Sequence, residues 1–179
     1  QTVQSATSHG VTFKEPLMIK EEFLAGSGPD DRVVAIAVDG RPADCVKLAI
    51  ANIWPERFGP GTRPDLVISG MNAGANVGIN VIYSGTVAAA LEAAFLGVPS
   101  IAVSLHMGKS RPLFDVAARH ARRTIEAILA HGIPEPHTCL SINIPITETD
   151  GPMPAIRVCP MNTHGLNDSY ERRTSPSGD

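Results

Sequence analysis

The chain has 179 residues, 43% of them apolar and 18% charged, and a net charge of −3. That length supports one domain with its own core, and the composition excludes a disordered chain. The weak negative charge excludes an electrostatic footprint for a nucleic-acid polymer, and no apolar run reaches the length of a membrane span.

Taken in chain order, apolar periodicity predicts two strands, Pro16–Phe23 and Val33–Val38, joined by the turn-rich GSGPDDR stretch. Asp30 and Asp31 lie in that stretch and read as turn formers. Ala43–Ile53 is predicted to be a helix that starts after Pro42 and stops at Trp54-Pro55, because a proline disfavours helix at the residue before it. In Arg41-Pro42-Ala43-Asp44-Cys45, Asp44 sits in the first helical turn, where a negative charge suits the dipole. A Gly/Pro-rich loop, FGPGTRP, leads to a buried strand at Leu66–Ser69. Ser84–Leu96 reads as a helix stopped by Gly97 and Pro99. A strand at Ser100–Leu105, a long amphipathic helix at Phe114–His131, and strands at Leu140–Ile144 and Ile156–Cys159 complete the pattern.

Nearly all-apolar strands alternating with helices predict an α/β fold, three layers α/β/α around a mostly parallel sheet, as a single domain over residues 1–179. Ligands of such sheets bind beyond the carboxyl ends of the strands. Both ends of the chain read as loop, which points to a piece of a longer protein. Cys45, Cys139 and Cys159 stand singly in apolar segments, as expected of buried thiols in a reducing, cytoplasmic compartment.

Between the strand at 66–69 and the helix at 84 lie Gly70, Asn72, Gly74, Asn76, Gly78 and Asn80, and then Ser84-Gly85-Thr86. Glycines let a backbone approach a ligand closely. A helix N-terminus presents free N–H groups to an anion, and asparagine offers an amide oxygen to a hard cation or N–H groups to phosphate. This reads as a phosphate site with a cation: Asn72 on metal or phosphate, and Asn76 with Ser84, Gly85 and Thr86 on phosphate oxygens. The loop is neither a dinucleotide fingerprint nor a P-loop, since no Gly-Lys-Ser/Thr follows. A long structural turn is the competing reading, and for Ser84 a helix N-cap. Ser5-Ala6-Thr7-Ser8-His9 suits the floor of a polar site, with His9 as candidate acid or base. His106, His120, His131, His137 and His164 lack metal spacing, and His120 and His131 read as solvated or dipole-facing imidazoles.

Five stretches together resemble the survival protein E (SurE) family of metal-dependent nucleoside-monophosphate phosphatases. They are Ser5–Thr12, Arg41–Val46, Ser69-Gly70-Met71-Asn72 with Gly74, Asn76 and Gly78, Tyr83–Val87 with Ala90 and Glu92, and Leu140–Pro145. The Ser-Gly-x-Asn-x-Gly-x-Asn-x-Gly run followed by Ser-Gly-Thr is the most specific of these. The resemblance implies a Rossmann-like domain that releases phosphate from nucleoside 5′- or 3′-monophosphates and from short polyphosphate. It implies one divalent cation per subunit, Mg²⁺ or Mn²⁺, and assembly as a homodimer or homotetramer. The family's serine ligand falls on Ser5 and its asparagine ligand on Asn72, while Asn76, Ser84, Gly85 and Thr86 fall on the phosphate pocket.

Two further family ligands are adjacent aspartates in an Asn-Asp-Asp-Gly motif that precedes the serine. No such motif occurs in this chain, and Asp30-Asp31 follow Ser5 in sequence. The family's first strand, helix and second strand, and its C-terminal extension, have no counterpart here. Gln4 stands where a basic residue is usual and Arg41 where threonine is usual. The alternative function is a protein that binds nucleotide or phosphate without turnover.

Overall fold

The computed structural model describes residues 7–23, 34–164 and 169–174. Ser5 and the Asp30-Asp31 pair lie outside the described residues, as does Val33.

The first two strands pair as foreseen. β1 (Ile19–Phe23) and β2 (Val34–Val38) form an antiparallel ribbon, with Ile19 opposite Val38 and Phe23 opposite Val34. The ribbon leads into α1 (Pro42–Leu48), whose first turn is closed by the Asp44 carboxylate accepting the Arg41 backbone N–H at 2.9 Å.

The helix does not stop at Trp54-Pro55 as the sequence suggests. It widens into a π turn, Ala49–Ile53, and resumes as α2 (Trp54–Phe58). The Trp54 N–H reaches back to the Ala49 carbonyl, five residues away, rather than four. Pro55 therefore occupies the first turn of a new α segment, where its missing N–H and fixed φ cost little.

Among the described residues the main sheet has three parallel strands in the order β3 (Val67–Ala73), β4 (Ser100–Leu105), β5 (Cys139–Ile144). All six residues of β4 are buried, as its position between two neighbours requires. Its alternation assigns the faces. Ile101, Val103 and Leu105 pack with Ile142 and Ile144 against Ala117 and Ala121 of α4 (Phe114–Leu129). Ala102 turns the other way, onto Val87 and Ala90 of α3 (Gly85–Phe95). Beside α3 on that face, Ile50 of the π turn meets Ala93 and Val98. The result is an α/β/α layering, and α3 is alanine-rich because it is buried between the sheet and α1.

Three expectations need correction. Ile156–Cys159 pairs with no strand among the described residues, and Val158 is 99% exposed. Its apolar residues imitate a strand, but no neighbour offers it a ladder. Cys159 is exposed, while Cys45 and Cys139 are half-buried, and burial raises both of their thiol pKa values. His120 is neither solvated nor at a helix end: it is buried on the sheet-facing side of α4. Among the described residues no helix is long and apolar enough to cross a membrane.

Candidate functional site

The loop predicted to begin after Ser69 is in part strand. β3 continues to Ala73, but its register on β4 shifts between Ser69 and Asn72. Ser69 lies opposite Ala102, yet Asn72 lies opposite Ser104, so three steps on β3 match two on β4. One extra residue in a strand reverses which face the following side chains take. Without it, Met71 would lie opposite Ser104. With it, Met71 packs into the α4-side cluster and Asn72 takes the α3 face. Gly70 makes the bulge possible. Its φ is +131°, and a Cβ there would collide with the Val103 carbonyl oxygen.

Asn72 donates its side-chain NH₂ to the Gly74 carbonyl at 2.8 Å. That leaves the amide oxygen as the end available to a ligand. Asn76, only 8% exposed, fastens the loop to the strand ends. Its side-chain NH₂ donates to Ser104 Oγ at 2.7 Å, its backbone N–H to Asn143 Oδ1 at 2.9 Å, and its carbonyl accepts from Asn143 Nδ2 at 3.0 Å. Ser104 and Asn143 were not singled out as site residues in the sequence. Their signal is a polar residue near the carboxyl end of a mostly apolar strand.

A 3₁₀ turn, Gly78–Tyr83, carries the chain to α3. Ser84 is the N-cap: its backbone is extended, and its Oγ accepts the Val87 N–H at 3.2 Å. The Gly85 and Thr86 N–H groups have no partner within the helix. A Cβ on Gly85 would lie 2.6 Å from Thr7 Oγ1, so the segment before His9 runs directly against the start of α3. Thr7 Oγ1 is buried and has no hydrogen-bond partner among the described residues. A hydroxyl and two amides with no partner among the described residues suit an oxygen-rich anion.

His9 is directed elsewhere. Its Nε2 lies 2.7 Å from Glu92 Oε2, and its ring stacks on Phe95 with centroids 5.6 Å apart and planes 9° apart. Glu92 stands seven residues into α3, about 10 Å along the axis from Gly85. The imidazole assigned as acid or base is thus aimed at the body of the helix, drawn there by a buried carboxylate. Burial by itself would push the Glu92 carboxyl up, but hydrogen bonds from Lys47 (2.8 Å) and His9 outweigh it and hold it below the ordinary carboxylate value. Asp44 behaves alike. Burial opposes its charge, and the Thr12 N–H, the Arg41 N–H and the Thr12 hydroxyl, at 2.7 to 2.9 Å, hold its pKa down.

Among the described residues no three His, Cys, Asp or Glu side chains gather as a metal site. The donors present at the sheet end are amide and hydroxyl oxygens, which suit Mg²⁺ or Mn²⁺ rather than a thiophilic ion.

The family model for survival protein SurE matches residues 1–168. The chain is 37% identical over 178 residues to the 5′-nucleotidase SurE of Syntrophobacter fumaroxidans, covering 99% of this chain and 66% of that protein. It is 41% identical over 175 residues to 5′-nucleotidase SurE 1 of Thermus thermophilus, covering 98% and 63%. The crystal structure of the SurE protein from Aquifex aeolicus superposes with a TM-score of 0.72 at 34% identity, covering 97% of this chain and 64% of that one. The chain thus spans a little under two thirds of the length of these relatives. With the family match over most of its residues and the shared α/β/α core, this chain belongs to the SurE family.

Proposed function

We propose that the protein is a metal-dependent phosphatase that hydrolyses nucleoside 5′- and 3′-monophosphates to nucleoside and phosphate, and cleaves short polyphosphate. The observation that carries this reading is the bulge at Gly70–Met71. It turns the Asn72 amide onto the face where α3 begins with N–H groups that have no partner within the helix. The relatives named 5′-nucleotidase support the substrate class.

Each residue then has a task. The Gly85 and Thr86 N–H groups donate to the phosphoryl oxygens, and the positive end of α3 favours their charge. Ser84 keeps the first turn open by capping Val87. Asn76, tied to Ser104 and Asn143, holds the loop so that Asn72 does not swing away. Ser5 and Asn72 would hold the cation, which supplies positive charge to the phosphoryl group and acidifies the attacking water. The protein acts in the cytoplasm as a homodimer or homotetramer.

The test is phosphate release from nucleoside monophosphates by the intact protein with Mn²⁺ or Mg²⁺. Turnover is expected, with loss on chelation. Asn72→Ala is expected to weaken Mn²⁺ binding by about tenfold or more. Phosphate binding without turnover, together with unchanged metal affinity in Asn72→Ala, would overturn the reading.

A further inference from the structure

We propose that Glu92 is a positioning residue: through His9 it holds Thr7 and Ser8 against the start of α3, where the phosphate is bound. This rests on the phosphatase reading above.

Glu92 is 5% exposed and is the charged residue within the buried alanine face of α3. A buried carboxylate is costly unless both oxygens are paired, and an apolar side chain of similar size would pack α3 on α1 at least as well. What the carboxylate adds is direction. Oε1 takes Lys47 from α1, and Oε2 takes His9 from the N-terminal segment. The Phe95 stack fixes the plane of the His9 ring, and the Glu92 contact fixes its edge.

The two residues before His9 touch the cradle. Ser8 donates its N–H to the Tyr83 carbonyl at 3.0 Å and its hydroxyl to the Ile82 carbonyl at 2.9 Å. Thr7 Oγ1 lies against Gly85. Ser8 holds this place with φ +55°, a left-handed conformation that costs a non-glycine residue roughly 1–2 kcal/mol. Such a conformation persists only where its surroundings over-determine it. Here the constraint comes from both sides: the Ile82 and Tyr83 carbonyls hold Ser8, and the Glu92–His9 clamp holds the next residue. Thr12, bonded through its N–H and hydroxyl to Asp44, pins the far end of the same segment. Losing the His9 clamp leaves Ser8 held by the Ile82 and Tyr83 carbonyls, with the next anchor only at Thr12, four residues on.

The experiment uses the intact protein with Mn²⁺ and measures inorganic phosphate affinity by calorimetry, exchange of the Ser8 amide, and the melting temperature. Glu92→Ala and His9→Ala are each expected to weaken phosphate binding and speed Ser8 exchange by about tenfold. The double variant is expected to be no worse than either single one, because both act through one contact. Glu92→Gln keeps an acceptor for Lys47 and a polar partner for His9, and should restore most of the affinity. Lys47→Met removes only the α1 side, so it should lower the melting temperature while leaving phosphate affinity unchanged. The proposal is overturned if folded Glu92→Ala binds phosphate like the wild type, or if the two single effects add. If the wild type turns over no nucleotide, the phosphatase reading fails, and Ser8 exchange still decides the clamp.

Discussion

Two buried carboxylates, Asp44 and Glu92, join the N-terminal segment to the helices, and each is ionised because hydrogen bonds overcome the cost of burial. Their depressed values link stability to pH with a definite sign. The unfolded chain has ordinary carboxylates near pH 4, so in that region it binds more protons than the folded protein does. Stability then rises with pH through the window and is lost as pH falls through the folded values. Thermal melts should show a steep loss on acidification below roughly pH 4. In Asp44→Asn and Glu92→Gln that loss should be shallower, with a lower melting temperature at neutral pH. Equal slopes in wild type and variants would contradict the assignment.

At the scale of the element, the decisive feature is the β3 bulge. It needs a glycine at position 70, because the backbone there has φ +131° and the Val103 carbonyl occupies the place of a side chain. Gly70→Ala should destabilise the fold by about 2–3 kcal/mol in urea unfolding and weaken Mn²⁺ binding with it, as Asn72 loses its face. A neutral substitution would show that the bulge relaxes freely. The sequence showed that a special segment follows Ser69, from its glycines and asparagines. It did not show that the strand continues to Ala73, because a bulge breaks the period-two pattern on which strand assignment depends. Pro55 misled for a related reason: a wider π turn absorbs a proline that local rules treat as a stop. Ile156–Cys159 misled in the opposite sense, since an apolar run needs a neighbouring strand before it becomes one.

The whole molecule is organised around β4, which is buried on both faces and flanked by strands on both edges. Leu105, fully buried in the α4-side cluster, should cost about 2–5 kcal/mol on truncation to Ala, read from the denaturation midpoint. A shift below 1 kcal/mol would mean that this core collapses around the gap.

The alternation of strands and helices up to β5, the parallel sheet, the helix start at Ser84 and the kinship to SurE proteins were determined by the sequence, because periodicity, caps and motif spacing are local properties of the chain. Only the tertiary structure decided that Asn72 rather than Met71 faces α3, that Asn76 is anchored by Ser104 and Asn143, and that His9 answers to Glu92. Those choices join residues 28 to 83 positions apart or depend on the register between two strands. Such distances and registers are settled by packing, not by the identity of neighbouring residues.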